Sequence, residues 1–215
     1  TSTYTPDSSV PGTTYYRVLI NASNNGCDQA VSNTVTAVIE ADIVIYTQPQ
    51  DIDECVGGID QLFVLVTGGS GTVTYQWQSS PDGTNGWANA TGAGATTSIY
   101  TPDSSVPGTT YYRVLVNASN NGCDQAVSTT ATVVIAQDLE ITAQPSDVFE
   151  CVGGSSVMTV TVIGGAGTLN YQWQQSPNGA TGWTNAIGSG STTSTFTPPS
   201  TATGTTYYRV IINSN

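Results

Sequence analysis

Three observations predict an all-β chain of tandem β-sandwich domains. The sequence repeats every 96 residues without insertion or deletion: Tyr4, Tyr100 and Phe196 fall in step, as do Cys27 and Cys123, Cys55 and Cys151, Trp77 and Trp173, and Trp87 and Trp183. A period of that length fits one β-sandwich domain rather than a short solenoid unit. Short runs of alternating apolar and polar residues, bounded by Gly, Pro and Asn, recur along each copy with almost no helical periodicity. One copy carries about seven such runs, the number a sandwich needs. The expected layout is the C-terminal part of one domain over 1–41, a complete domain over 42–137, and a domain lacking its last strand over 138–215.

Within 42–137 each element has a local cause. Thr47, Gln48 and Pro49 close a first strand, because proline is confined to strand ends and edges. Leu62, Val64 and Val66 alternate with Phe63, Leu65 and Thr67, and the next copy has Met158, Val160 and Val162 alternating with Thr159, Thr161 and Ile163. The first set stays apolar in both copies and is expected inside; the second drifts to threonine and is expected outside. Gly68, Gly69, Ser70 and Gly71 make a turn, after which Val73, Tyr75 and Trp77 form an inward row. Residues 79–89 are a Gly/Asn-rich excursion containing Trp87, and a further strand begins over 98–102. Residues 109–117 follow with Tyr112, Val114 and Val116 on one face, then Asn121-Gly122 as a type I′ hairpin signal, then a last strand over 126–135.

After a Pro-ended strand come Tyr-Gln-Trp-Gln at 75–78 and Pro-Gly-Thr-Thr-Tyr-Tyr-Arg-Val at 107–114. This order resembles the immunoglobulin fold. The resemblance implies that Trp77 is the buried tryptophan of strand C and Tyr112 the corner tyrosine of strand F, with Trp173 and Tyr208 their equivalents. The fuller pattern adds Gln-Pro, Cys-Val-Gly-Gly, Ser-Pro-Asp-Gly, Gly-Trp and Asn-Gly-Cys. It is similar to the tandem immunoglobulin-like repeats of very large Bacteroidetes surface proteins exported by the type IX system, a set that includes gliding-type adhesins and prey-grasping filaments. An extracellular, cell-surface location is what this resemblance implies. One feature departs from immunoglobulins. The inward positions of strands B and F carry Val64 and Val114, so the inter-sheet disulfide is missing.

Cys27, Cys55, Cys123 and Cys151 are the only cysteines, and they suggest structural disulfides in an oxidising compartment. Two pairings stay open. Cys55 to Cys123 within one domain would stabilise by roughly 4 kcal/mol in the chain-entropy model. A staple between neighbouring domains or chains is the other, because Cys55 follows the first strand, toward the next domain, and Cys123 follows the hairpin, toward the previous one. Bridged Cα atoms lie within about 7 Å. The junction between Ile135 and Ile141 holds no flexible Gly/Ser linker, which favours a semi-rigid rod.

Composition narrows function. Histidine and lysine are absent, and Arg17, Arg113 and Arg209 face 15 carboxylates, for a net charge of −12. Nucleic acid and anionic membrane both need basic clusters that this chain lacks, and no apolar run is long enough for membrane insertion. Without His or Lys there is no Ser–His or Cys–His pair, no His-bound zinc and no Schiff base. The expectation is a non-enzyme without a cofactor.

Candidate contact residues are Trp87 and Trp183, which would either stack a sugar or pin the excursion by packing. Tyr111 should point outward beside Arg113, to meet a neighbouring chain or to pack on the arginine stem. Asp51, Asp53, Glu54 and Asp60 are weak calcium candidates: the next copy keeps Asp147 and Glu150 but has Phe149 and Ser156 at the other two places, so no metal is expected and the run reads as a solvated turn. The loop at 21–30 is identical to that at 117–126, whereas copies made for distinct ligands would diverge in their loops. The expected function is a structural segment of an extracellular stalk or filament that carries tension, its partners being neighbouring repeats and other copies in a homo-oligomeric bundle. The alternative is an adhesive module that binds a surface glycan or protein through its loops.

Overall fold

A computed structural model describes residues 1–23, 28–119 and 124–214. The chain is all-β, with no helix among the described residues, and its strands form tandem immunoglobulin-like sandwiches. The first segment holds β1 (Gly12–Tyr16), β2 (Leu19–Ile20), β3 (Ala30–Val31) and β4 (Val35–Ile39), with β1 paired to β4 and β2 to β3. The middle unit holds β5 (Val44–Thr47), β6 (Ile52–Cys55), β7 (Leu62–Phe63), β8 (Leu65–Thr67), β9 (Val73–Ser80), β10 (Ala88–Asn89), β11 (Ile99–Tyr100), β12 (Gly108–Ala118), β13 (Ala126–Val127) and β14 (Ala131–Ala136). The third holds β15 (Glu140–Ala143), β16 (Met158–Thr159), β17 (Thr161–Ile163), β18 (Leu169–Ser176), β19 (Thr184–Asn185), β20 (Thr195–Phe196) and β21 (Tyr207–Ser214).

In the middle unit one sheet runs β10–β9–β12–β14–β6, with β13 beside β12. Every neighbour is antiparallel except β6, which lies parallel to β14. The opposing sheet pairs β5 with β8 and β7 with β11, and Val64 joins β7 to β8 as one interrupted strand. The alternation read from the sequence holds: Leu62 and Val64 are buried while Phe63 and Leu65 stay 42% and 46% exposed. Tyr112, Val114 and Val116 from β12 meet Ala131, Val133 and Ile135 from β14 inside the same core.

Trp77 is fully buried, as the resemblance implied. Its ring stacks on Tyr100 at 5.8 Å, Tyr100 packs on Tyr112 at 5.5 Å, and the third unit repeats the row as Trp173, Phe196 and Tyr208 at 5.3 and 5.2 Å. A buried indole N–H needs an acceptor. Trp77 Nε1 donates to Thr97 O and Trp173 Nε1 to Thr193 O, both at 2.9 Å. Burial beside Tyr100 pushes the Tyr112 hydroxyl up to about 12.

Three expectations need correction. The acidic run is not a solvated turn, because Asp53 and Glu54 lie in β6 and Asp51 just before it, an edge strand paired with β14. Acidic side chains on an edge discourage pairing with further strands. The strand expected over 126–135 is broken: Ser128 Oγ accepts the Val114 N–H at 2.9 Å and donates to Thr129 O at 2.8 Å, displacing the backbone ladder. Ser32 does the same to Val18 in the first segment. Tyr208 is only partly buried, unlike Tyr112, because no counterpart of β14 covers it among the described residues. For the same reason residues 148–151, equivalent to β6, form no strand. The Asn121-Gly122 turn and the cysteines Cys27 and Cys123 lie outside the described residues.

Candidate functional site

The outward face of the six-stranded sheet gathers the candidate contact residues. Arg113 on β12 lies opposite Gln78 on β9 and donates Nε–H to Gln78 Oε1 at 2.9 Å. Its guanidinium carbon sits 4.2 Å from the centre of the Trp87 ring. Arg209, Gln174 and Trp183 repeat the arrangement, at 2.9 Å and 4.3 Å. No ion pair forms among the described residues, so the ring and an amide, not a carboxylate, hold Arg113 and Arg209. A cation over an indole is worth about 1 kcal/mol at a partly exposed site. Trp87 is therefore half-buried under Arg113 and pins the excursion to the sheet, which leaves less of its face for a sugar.

Tyr111 shares that face, and the turn after β9 lies against it. A Cβ added at Gly83 would fall 3.0 Å from the Tyr111 ring, and one at Gly179 2.8 Å from Tyr207. Ser80 and Ser176, both buried, organise this turn from below. Ser80 Oγ accepts from Gly83 N at 3.0 Å and donates to Asn85 O; Ser176 Oγ accepts from Gly179 N at 3.1 Å and donates to Thr181 O. Sequence reading passed over these serines, although their place before Pro-Asp-Gly and Pro-Asn-Gly in both copies was a signal.

The turns differ in one group. Asp82 Oδ1 accepts from Asn85 N at 2.7 Å and Thr84 N at 2.8 Å; Asn178 Oδ1 accepts from Thr181 N at 2.9 Å and Ala180 N at 3.0 Å. The Asn85 and Thr84 backbone N–H groups hold the Asp82 carboxyl well below the usual carboxylate range. A depressed folded pKa stabilises fully above the unfolded value of about 3.9 and loses that contribution as pH falls below it. Asp82→Asn should thus flatten part of the acid limb of thermal stability, read as the melting midpoint from pH 6 to pH 2. The effect will be small, since the group is solvent-exposed and screened. An acid limb unchanged by Asp82→Asn would contradict it.

The calcium candidates do not converge. Asp51 Oδ1 accepts from Thr132 N at 2.7 Å, and Glu54 Oε2 accepts from Asp60 N at 3.0 Å. Asp53 and Glu54 are successive residues of β6 and so point to opposite sides. Among the described residues no group of three or more His, Cys, Asp or Glu could hold a metal ion. Glu150 repeats the Glu54 contact, its Oε2 accepting from Ser156 N at 2.8 Å, which also depresses its pKa. These glutamates brace the Cys-Val-Gly-Gly turn.

Cys55 is half-buried and Cys151 exposed, and both are free thiols in the structure. Cys55 pairs with Ala136, at the end of the sheet next to the junction. Ser119, the last described residue before the Asn121-Gly122 turn, closes the other end against Thr72. The 11 residues of β12 separate these ends by about 35 Å.

The sequence matches the family described as "Domain of unknown function (DUF8696)" over residues 50–137 and again over 143–215. The chain belongs to that family. The two matches place a DUF8696 unit on each side of the junction at 137–139. No curated protein matches the sequence. Among solved structures the chain is similar to extracellular domains 3–5 of Drosophila OTK, at 14% identity over 92% of this chain and 68% of that one, TM-score 0.46. It is similar to an I-band fragment of titin at 10% identity over 95% and 71%, TM-score 0.43. It is also similar to Sidekick-1 immunoglobulin domains 1–5 at 16% identity over 77% of this chain, TM-score 0.41, and spans 36% of that structure. With these scores below 0.5, the fold assignment rests on the strand pairings themselves.

Proposed function

We propose that this chain is a segment of an extracellular, cell-surface stalk or filament, in which tandem DUF8696 units set reach and carry tension. The junction carries this reading. Three residues, 137–139, separate β14 from β15, and Gly165 N–H donates to Gln137 O at 2.6 Å. The preceding junction repeats the bond, from Gly69 N–H to Ala41 O at 2.7 Å. Each connecting segment is thus tied to the glycine turn of the unit that follows, which favours a semi-rigid rod over loose beads.

The cysteine geometry supports the same reading. A bridge joins Cα atoms within about 7 Å, whereas Cys55 and Ser119, the last described residue before the Asn121-Gly122 turn, lie at opposite ends of β12. A staple to a neighbouring unit or chain therefore fits better than Cys55–Cys123, and it would stiffen the junction. Export by the type IX system and bundling of several copies belong to this proposal through the resemblance above. The adhesive alternative has weaker support, since its main aromatic, Trp87, is already covered by Arg113.

Electron microscopy of the native full-length protein tests the proposal. The expected result is a regular multi-chain fibre with an axial beat of about 40 Å, the length of β12 plus its junction. Isolated flexible strings without lateral association would overturn it.

A further inference from the structure

The two units differ most tellingly on the outer face of the smaller sheet. In the middle unit Ile99 on β11 lies opposite Phe63 on β7, Leu65 follows on the same face, and β5 adds Val44 and Tyr46. These five side chains are 47%, 42%, 46%, 54% and 61% exposed respectively. The same positions in the third unit hold Thr195, Thr159, Thr161, Glu140 and Thr142, all exposed. Two exchanges run the other way, Thr67 against Ile163 and Gln61 against Val157. Both units keep the same register and the same β-bulge in β5 and β15, so the difference lies in the side chains and not in the fold. Core packing does not require an apolar outer face here, because the third unit does without one.

We propose that this face of the middle unit is a self-association surface, on which a second copy of the chain packs its own equivalent face. The proposal rests on the filament reading and supplies it with a lateral contact. Charge argues for a second copy as the occupant. The chain carries −12, so two copies repel each other over most of their surfaces. The strands of this face, β5, β7, β8 and β11, contain no charged residue at all. It is a place where two like-charged chains can meet without burying a carboxylate. A basic partner would seek the acidic edge at β6 instead. In the third unit Glu140 replaces Val44, and a like pairing there would bring carboxylates together.

Size fits a weak, repeated contact. The five side chains expose roughly 500 Å², comparable to the largest apolar patch of an ordinary monomer. A lasting dimer buries about 800 Å² on each partner, so a single face gives a reversible dimer. A series of such faces along an array would hold chains together by multivalency. Two such sheets would stack as in a sandwich core, about 10 Å apart.

Sedimentation equilibrium of the 215-residue chain over a concentration series tests this. The weight-average mass should climb toward twice the monomer value, and added NaCl should tighten the association by screening the net charge. The triple variant Phe63→Thr, Leu65→Thr, Ile99→Thr should weaken the dimer by about tenfold or more. It installs the residues that the third unit carries at those places, and an unchanged melting midpoint will verify that it folds. The reverse change, Thr159→Phe, Thr161→Leu, Thr195→Ile with Glu140→Val, should strengthen association. A wild-type chain that stays monomeric throughout overturns the proposal and leaves the face to a different protein. Association that survives the triple variant also overturns it, while leaving the filament reading intact. A dimer lost in the variant, with no fibre seen by microscopy, would uphold the face and sink the filament.

Discussion

Trp77→Ala should unfold the middle unit at ordinary temperatures or bring it close to unfolding. The side chain is fully buried, heads the stack with Tyr100 and Tyr112, and gives its Nε1–H to Thr97 O. Truncating a buried tryptophan costs about 3–5 kcal/mol through lost transfer energy and the cavity left behind. Stranding the Thr97 carbonyl adds about 1–3 kcal/mol. A domain of this size has only about 5–15 kcal/mol to lose. At about 4–8 °C per kcal/mol, the melting midpoint should fall by tens of degrees. Differential scanning calorimetry measures this, and a fall under 5 °C would mean that the stack is not the keystone of the core. Tyr100→Phe gives a contrast. The third unit already has Phe196 there, so the ring stack survives and the Tyr100 hydroxyl's bonds to Thr91 O and to the Tyr112 hydroxyl are lost, a change of about 1–2 kcal/mol.

The second large effect is expected at the glycine turns beside the junctions. Gly68 and Gly164 have φ of +76° and +75°, and a Cβ at either would sit 2.1 or 2.0 Å from the carbonyl oxygen of Asp42 or Asp138. The left-handed backbone alone costs a β-branched residue about 1–2 kcal/mol. The clash cannot be relieved by a side-chain rotation, because the obstacle is backbone; the connecting segment has to move. Gly164→Val should break the bond from Gly165 N–H to Gln137 O. Two measurements check this: the Gly165 amide should lose its hydrogen-exchange protection, and small-angle scattering should show a broader range of end-to-end distances. Retained protection with an unchanged scattering curve would show that the junction draws its stiffness from elsewhere.

Much of the fold was legible because this sequence prints its alternation more than once. Phe63 and Leu65 resemble Leu62 and Val64 in chemistry, and one copy alone could not say which pair faces in. The replacement of Phe63 and Leu65 by Thr159 and Thr161 decides it, since exposed positions can drift while Val64 and Val160 cannot. What stayed hidden has a common cause in long-range partners. Residues 52–55 read as an acidic turn because only Ile52 and Cys55 are apolar, and the segment becomes a strand through β14, some 80 residues away. Ser128 breaks its strand by capturing Val114 N–H, a contact that no local pattern announces. Near Trp87 the sequence supplied the residues but not their order. Arg113 and Trp87 stand 26 positions apart, and only the β9–β12 register brings the cation over the ring.

The parallel pairing of β6 with β14 has a consequence for how the unit fails under load. β6 lies near the start of the unit and β14 at its end, and four rungs join them, from Val133–Ile52 to Ala136–Cys55. Pulling the two ends of the chain apart drives parallel neighbours in opposite directions along their length. The rungs are then sheared together rather than peeled one by one. Asp51 Oδ1 to Thr132 N at 2.7 Å and Val56 N to Ala136 O at 3.1 Å lengthen the same seam. Rupture would require all of these bonds to yield at once, so the unit should resist a sharp tug far better than its modest thermodynamic stability suggests, and then give way abruptly.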